Sequence, residues 1–303
     1  MLFSVVIPVF NRAAALGRAL ASVLAQSCGD FEIVVVDDGS LDDPRAVAQS
    51  FADPRIRVLR QDNRGGSAAR NAGIDAARGR YVALLDSDDV FLPHHLETMA
   101  GLLAGTDGTV GFAPVLVDRG AGRMMVKPPR APAAGEHMAD YLLRDRGFVP
   151  TITLVLPRAI ARAVRYDETL PFAQDTDFAI RLFLAGCTFA MAKAPGAVWH
   201  DGPNPNRVSA GRKGARLIPW LEAMRPRIPA KAYLGCRGWT VAKGLAAAAP
   251  RRALGCYLRA LTAGCYRPKL ALAVFLQIFV SDRLYRGLSD RAIALFHARA
   301  ARP

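Results

Sequence analysis

Three carboxylates directly follow an apolar run near residue 85. Asp86, Asp88 and Asp89 come after Tyr81–Leu85, and a short apolar run predicts a strand buried on both faces of a parallel sheet. The C-terminal ends of such strands form the edge where open α/β sheets bind ligands. Crowded carboxylates repel one another, and Mg²⁺ or Mn²⁺ would relieve that repulsion while sharing its coordination with phosphates. A solvated acidic loop capping the next helix, with Asp89 at the helix N-terminus, is the alternative and is favoured by this spacing alone.

Elements of the first hundred residues alternate between strands and helices. Apolar β-rich runs predict strands at 2–9, 32–36, 56–59 and 81–86, and three- and four-residue apolar spacing predicts helices at 12–26, 43–51, 65–77 and 92–103. This alternation predicts right-handed crossovers and a parallel sheet. The chain contains no G-x-G-x-x-G, no G-x-x-x-x-G-K-[ST] and no G-x-S-x-G. A dinucleotide fold, a P-loop and a nucleophile elbow are therefore excluded.

Elements after residue 103 are predicted from shorter patterns. Strands are expected at 109–117, 152–156, 188–191 and 197–200, and a helix at 174–185 that Gly186 closes. Residues 119–135 are rich in Gly, Pro, Arg and Ala and predict a loop, with the length of a lid over a site.

Six motifs in order carry a resemblance to a known family. They are SVVIPVFNR at 4–12, IVVVDDGS at 33–40, NRGGSAARNAG at 63–73, GRYVALLDSDD at 79–89, YDE at 166–168 and QDTDFAIRL at 174–182. Together they resemble glycosyltransferase family 2 over about two thirds of the chain. The resemblance implies an α/β GT-A fold, a Rossmann-like, mixed and mostly parallel sheet between helices. It also implies a metal-dependent inverting glycosyltransferase that uses a nucleoside-diphosphate sugar, with UDP as the expected nucleotide.

The resemblance assigns the nucleotide to the ends of the first strands. It implies that Asp38 accepts the imide N–H of uracil, that Pro8 lines the base pocket and that Asn11 lies beside it. Arg70 is expected to approach the base or to hold Asp38, and Asp86 to contact the ribose and metal-bound water. From local chemistry alone, Asp38 and Asn11 are ordinary turn residues and Arg70 is a surface arginine with a nearby ion pair.

The resemblance assigns a divalent cation to the D-x-D at residues 86–88. Asp88 would coordinate Mn²⁺ or Mg²⁺ directly, and His200 would reach the metal or the diphosphate. Strand alternation predicts that Asp86 and Asp88 point to one side and Ser87 to the other. A surface role for His200 is equally compatible with its position at a strand end.

Transfer with inversion needs one carboxylate that takes the proton of the acceptor hydroxyl. The resemblance places this base at Asp175, at the start of a helix, although Gln174 stands where the family has an acid. Asp177 is the rival for the role, and both aspartates also suit a helix N-terminus. Arg181 is expected to orient the loop or a phosphate, and Arg207 to hold the pyrophosphate.

Charge is distributed unevenly along the 303 residues, whose net charge is +14. Residues 1–210 hold 22 Lys and Arg against 23 Asp and Glu, whereas residues 211–303 hold 18 against 3. We therefore predict a catalytic domain at 1–210 and a basic helical segment at 211–303. Such a segment suits an anionic partner: an anionic membrane surface through an amphipathic stretch at 269–288, or a phosphorylated acceptor. A helical bundle packed on the catalytic domain is the alternative, and nucleic acid is disfavoured because aromatic residues are sparse.

The five cysteines are odd in number and show no C-x-x-C spacing, which predicts free thiols in a reducing compartment. The N-terminus lacks the features of a signal peptide, and the run 270–280 is too short to span a bilayer. We expect a cytoplasmic protein, peripheral on the inner face of the membrane where the tail binds lipid. The expected acceptor is a glycan or a lipid-linked saccharide. Transfer to polyprenyl phosphate, and a non-catalytic protein that binds nucleotide sugar or membrane, are the alternatives.

Overall fold

A computed structural model describes residues 1–120, 124–145, 147–201 and 213–280. The chain forms two compact units, one of Met1–Met138 with Gly147–Val208 and one of Ala139–Arg146 with Ser209–Pro303. The predicted boundary at residues 210–211 lies outside the described residues. It also misses the segment 139–146, which belongs to the second unit because its contacts are with that part of the chain.

The first unit is built on a seven-stranded sheet with the order β10-β6-β9-β4-β1-β2-β3. Its strands are β1 (Phe3–Val9), β2 (Phe31–Asp37), β3 (Ile56–Arg60), β4 (Tyr81–Leu84), β6 (Thr109–Phe112), β9 (Val155–Pro157) and β10 (Thr188–Met191). Every pairing is parallel except those of β9, which runs antiparallel to both of its neighbours. The mixed, mostly parallel α/β sheet is the predicted one. The all-buried β2 shows why such strands contain uninterrupted apolar runs.

A second sheet of four strands has the order β5-β11-β7-β8. It contains β5 (Val90–Phe91), β7 (Val115–Asp118), β8 (Met124–Lys127) and β11 (Ala197–His200). Two predictions are wrong here. The single strand expected at 109–117 is split between the two sheets around Ala113-Pro114, where proline supplies no amide donor. The loop expected at 119–135 contains β8, which pairs antiparallel with β7.

Helices of the first unit surround the larger sheet. They are α1 (Ala13–Leu24), α2 (Pro44–Ser50), α3 (Gly66–Ala76), α4 (His95–Leu103), α6 (Arg158–Val164) and α7 (Gln174–Leu184), while α5 (Met138–Leu143) leads into the second unit. The core between α1 and the sheet contains Val5, Ile7, Leu16, Leu20 and Ile33, all fully buried.

The described part of the second unit is helical. Its helices are α8 (Ile218–Met224), α9 (Ala230–Cys236), α10 (Ala242–Leu245), α11 (Pro250–Thr262) and α12 (Pro268–Phe279), with a π-helical stretch at Arg237–Val241. A separate core contains Tyr257, Tyr266 and Val274. All five cysteines are free thiols. Among the described residues, no helix is both long and apolar enough to cross a bilayer.

Candidate active site

The candidate site lies at the carboxyl edge of the larger sheet, where the turns after β1, β2 and β4 meet. β1 pairs in parallel with both β2 and β4, so the three strand ends are adjacent. Asn11 ties two of these turns together: its side-chain Oδ1 accepts from Leu41 N at 2.8 Å, and its backbone N–H donates to Ser40 Oγ at 3.0 Å. Pro8 lies in β1, partly buried. The predicted nucleotide-binding residues of β1 and β2 are thereby brought to one place.

Asp38 organises the segment that enters α3. Its carboxylate accepts from Gln61 Nε2 at 2.7 Å, from Arg64 N at 3.0 Å and from Gly65 N at 2.8 Å. Gly65 has φ +88°, a conformation that glycine adopts without a steric penalty. The segment 61–65, and not Arg70, therefore holds Asp38, and that part of the expectation for Arg70 is wrong. Contact between Asp38 and a base stays a prediction.

Arg70 instead joins the D-x-D to α3. Its Nη2 donates to Asp86 Oδ1 at 2.6 Å, and its guanidinium lies over the Tyr166 ring, 5.4 Å from the centroid. Tyr166 stacks in turn on Phe178 of α7, with ring centroids 4.1 Å apart. The Arg70 side chain is 11% exposed, and its Nε is buried with no hydrogen-bond partner among the described residues. An orphaned donor in a site of this kind is suited to an anionic ligand.

Asp175, the predicted base, lies in the first turn of α7, close to the same arginine. Removal from solvent raises the pKa of Asp175, while nearby Arg70 lowers it and Asp86 raises it. A carboxylate whose pKa is raised accepts a proton more readily, which is the property that a general base requires. The structure thus places Asp86, Arg70 and Asp175 in one electrostatic group, although the role of Asp175 stays a prediction.

Asp177 has a different environment from Asp175. It is 2% exposed, and Arg181 binds its Oδ2 through Nε at 2.7 Å and Nη2 at 2.6 Å. Arg181 also donates to the Val164 carbonyl at 2.6 Å. Through these contacts Arg181 fixes α7 to the end of α6. Contact between Arg181 and a phosphate stays a prediction. Asp177 is not positioned to accept a proton from an acceptor.

The residues just before the predicted base have a constrained geometry. Ala173 has φ +59° and ψ +24°, the left-handed region that non-glycine residues seldom adopt. Gln174, where the resemblance leads one to expect an acid, donates to the Leu170 carbonyl at 2.9 Å. Its amide therefore orders the entry to α7 instead of adding a charge beside Asp175.

Asp86 and Asp88 are partly exposed, while Ser87 is 3% exposed. The strand β4 ends at Leu84, before the D-x-D, so the predicted direction of the two aspartates stays a prediction. Asp88 Oδ2 accepts from Arg12 Nη1 at 2.6 Å, with the two side chains 31% and 36% exposed. An ion pair this exposed contributes about 1 kcal/mol at most. Arg12 was missed from the sequence, although its place just beyond the end of β1, next to β4, could have identified it.

The oxygens of Asp86 and Asp88 suit a hard divalent cation, since each carboxylate has one oxygen outside its arginine pair. Such a cation would take the place of Arg12 on Asp88 at little cost. Within the described ranges, no three His, Cys, Asp or Glu side chains form a metal-binding group. Asp86 and Asp88 thus offer two carboxylates that could take part in binding a cation, and a metal at this place stays a prediction.

Asp89 is not the helix N-terminal residue that the sequence predicted. It is 3% exposed, and its Oδ1 accepts from the backbone N–H of His200 at 2.8 Å. The His200 Nδ1 lies 3.7 Å from the same oxygen. Asp89 therefore links the end of β11 to the D-x-D loop. His200 is held by the residue that follows Asp88 in the sequence. Contact between His200 and a metal stays a prediction, and Arg207 lies outside the described residues.

A polar network missed from the sequence fixes the Tyr166–Glu168 segment. Asn71 of α3 donates to the Tyr166 carbonyl at 2.9 Å and accepts from the Tyr166 N–H at 2.8 Å. Asn71 also donates to Glu168 Oε1 at 2.9 Å, and Arg64 binds Glu168 Oε2 at 2.7 Å. The motif at 63–73 thus orients the motif at 166–168. The two motifs are about 95 residues apart in the sequence, and the only sign of this contact there is that both motifs are present.

Comparison with known proteins gives a consistent family. Residues 4–152 match the profile of Glycosyl transferase family 2. The amylovoran biosynthesis glycosyltransferase AmsB of Erwinia amylovora is 30% identical over 236 residues, covering 75% of this chain and 78% of that protein. The succinoglycan biosynthesis protein ExoW of Rhizobium meliloti is 32% identical over 222 residues, covering 66% and 69%.

Solved structures agree on the fold. The crystal structure of S. aureus TarS 1–349 in complex with UDP-GlcNAc matches with a TM-score of 0.63 at 19% identity, covering 91% of this chain and 87% of that one. At this identity the likeness establishes the GT-A fold, as predicted from the motifs.

Proposed function

Since the chain belongs to glycosyl transferase family 2 and is a glycosyltransferase, we propose that it transfers a sugar from a UDP-linked donor, with inversion, during synthesis of a surface polysaccharide. The acceptor is a growing glycan or a lipid-linked saccharide. Two observations support this choice. AmsB and ExoW are named for the biosynthesis of amylovoran and succinoglycan, and TarS, which shares the fold, was crystallised with UDP-GlcNAc.

One observation carries the mechanism: Arg70 pairs with Asp86 and lies close to Asp175, whose pKa is raised. Asp175 takes the proton of the acceptor hydroxyl as that oxygen attacks the anomeric carbon. The bond from the anomeric carbon to the diphosphate oxygen breaks, and UDP leaves with the electron pair. A single displacement of this kind inverts the anomeric centre and needs no covalent intermediate.

The protein contributes order and charge around this displacement. Asp38 holds the segment 61–65 and with Pro8 and Asn11 forms the base side of the pocket. Arg70 places a positive charge beside Asp86 and Asp175 in a partly buried site. Asp88, with His200 nearby, would hold Mn²⁺ or Mg²⁺, which when bound neutralises charge on the departing diphosphate.

Asp175→Asn tests the proposal. The substitution keeps shape and removes the proton acceptor, so UDP-sugar turnover should fall by about 10²- to 10⁴-fold while the Kd for UDP changes little. Turnover can be followed as UDP release from a panel of UDP-sugars, in the presence of saccharide and lipid-linked acceptors. Asp75→Asn, on the exposed side of α3, is the matched control and should behave as wild type. Equal turnover by Asp175→Asn and wild type would contradict the assignment of the base, and donor binding without turnover in wild type would indicate a non-catalytic nucleotide-sugar-binding protein.

A further inference from the structure

Exposed apolar side chains are concentrated on two helices of the second unit. Among the described residues, ten large hydrophobic side chains are exposed, and five of them lie between residues 254 and 275: Leu254, Leu258, Leu261, Leu272 and Phe275. The exposed fractions range from 37% for Leu261 to 62% for Leu272. Isolated exposed hydrophobics are ordinary, but a cluster of them marks a surface with a partner.

The three leucines of α11 form a row on one side of the helix. Leu254, Leu258 and Leu261 follow the i, i+4, i+7 spacing that places side chains on one face. Ala253, Tyr257 and Ala260 follow the same spacing one residue earlier and are buried in the core of this unit. The helix is therefore held in place by its buried face, and the adjacent row of leucines is exposed to solvent.

Exposed apolar side chains continue from α11 to α12. Tyr257 of α11 contacts Phe275 with ring centroids 5.6 Å apart, and Phe275 contacts Phe279 at 4.9 Å. Leu270, Val274 and Ile278 form the buried face of α12, which leaves Leu272 and Phe275 on the outside. We name the five exposed side chains of α11 and α12 the apolar strip.

Five exposed basic residues lie on the same two helices as the apolar strip or directly before them. Arg251, Arg252 and Arg259 on α11 and Arg267 and Lys269 at the start of α12 are all exposed. None of these five has an ion pair within the described parts of the chain. Residues 213–280 contain twelve Lys and Arg and a single acid, Glu222, which Arg237 and Tyr233 already bind at 2.6 Å and 2.7 Å. Positive charge on these helices thus has no compensation within the described structure.

We propose that α11 and α12 form a docking surface for an anionic lipid bilayer. An apolar strip beside unpaired arginines has the composition of helices that lie in the membrane interface, with leucine and phenylalanine among the acyl chains and arginine at the head groups. Acidic head groups would supply the counter-charge for the five exposed basic residues of these two helices. The inference does not depend on the sugar, the acceptor or the base proposed above.

Vesicle flotation of the full-length protein tests this surface. The probe is vesicles of phosphatidylcholine with 30% phosphatidylglycerol, compared with vesicles of phosphatidylcholine alone. Wild type should float with the anionic vesicles, and less so as salt is raised. Each basic residue near such a surface contributes about fivefold to partitioning, so substitution of Arg251, Arg252 and Arg259 by Gln should weaken binding by about 100-fold. Substitution of Arg18, Arg227 and Lys231 by Gln removes the same charge elsewhere and should leave most of the binding.

A second variant tests the three exposed leucines of α11. Substitution of Leu254, Leu258 and Leu261 by Ala keeps helix propensity and should weaken vesicle binding by at least about tenfold, with circular dichroism unchanged. Full binding by this variant would overturn the proposal and point to a polyanion such as nucleic acid. Absence of binding by wild type would also overturn it. Loss of a wild-type dimer in the leucine variant, measured by light scattering without lipid, would identify the strip as an interface between two copies instead.

Discussion

Arginines have different surroundings in the two units of this protein. At the carboxyl edge of the catalytic sheet, Arg12, Arg70 and Arg181 each bind a carboxylate, at 2.6 Å to 2.7 Å. On α11 the exposed Arg251, Arg252 and Arg259 have no such partner within the described structure. In the first region each arginine orients a carboxylate, whereas in the second the charge is available to an external anion.

The comparison also explains why net charge alone says little about the site. Residues 1–210 are almost neutral because they contain 22 Lys and Arg against 23 Asp and Glu, and three of these arginines pair with acids at the candidate site. Within the described part of 213–280, the five exposed basic residues of α11 and α12 have no ion pair. Paired arginines should therefore be costly to disturb, and unpaired ones should be nearly neutral for folding.

The largest stability effect is expected at Asp177. Asp177→Asn removes the carboxylate that binds Arg181 and leaves a mostly buried guanidinium without its counter-charge, which should cost about 3 kcal/mol of unfolding free energy. The matched control is Arg252→Gln on α11, which should change stability by less than about 0.5 kcal/mol. Urea unfolding measures both, and similar values for the two variants would remove the distinction between paired and unpaired arginines.

The next effect concerns pH and Arg70. Burial raises the pKa of Asp175, and Arg70 opposes this rise, so Arg70→Gln should raise the pKa of Asp175 further. Because the base must be ionised, the acid limb of the kcat profile should move to higher pH, with about tenfold lost per unit at a fixed low pH. Arg55→Gln, whose partner Asp53 lies outside the site, should leave the profile unchanged.

Stability gives an independent reading of the same carboxyl. The pKa of Asp175 is higher in the folded protein than in the unfolded chain. At a pH between these two pKa values, the unfolded chain therefore binds fewer protons than the folded protein. The contribution of Asp175 to stability is therefore lost as pH rises through its folded pKa. Asp175→Asn should accordingly unfold at a higher temperature than wild type at pH 7. A lower melting temperature would contradict a raised pKa.

The smallest effect is expected at Arg12. Its ion pair with Asp88 contributes about 1 kcal/mol at most, so Arg12→Ala should tighten Mn²⁺ binding in the absence of nucleotide by about fivefold at most. Electron paramagnetic resonance of free Mn²⁺ measures this directly, without any turnover. Weaker Mn²⁺ binding by Arg12→Ala would show that Arg12 supports the metal site instead of competing with the cation.

Local sequence patterns predicted the strands and the acidic residues at their ends, because both depend on residues that are close together in the sequence. The apolar run 81–85 ends at Asp86, and burial alternates from Asp86 to Ser87 to Asp88 as a strand pattern predicts. The antiparallel insertion of β9 between β4 and β6 was not predictable in this way, since it depends on pairing between segments about 70 residues apart. The second sheet was missed for the same reason, because β5 contains only two residues and gains its order from β11.

Site residues divided along the same line. Asp38, Asp86, Asp88 and Asp175 could be proposed as site residues because their motifs are local, but their hydrogen-bond partners could not be predicted. The Arg12–Asp88 and Asn71–Glu168 contacts span 76 and 97 residues. Asp89 was assigned to a helix N-terminus because the sequence does not reveal that β11 ends beside it.

The central claim is that the carboxyl edge of the sheet binds a nucleotide-sugar donor through Asp88 and a divalent cation. Calorimetric titration of UDP into wild type and Asp88→Ala, with and without Mn²⁺, tests it most directly. We expect UDP to bind wild type tightly only with Mn²⁺ and Asp88→Ala to lose this dependence. Failure of wild type to bind UDP, GDP or dTDP with the metal present would contradict it, as would equal metal-dependent binding by Asp88→Ala.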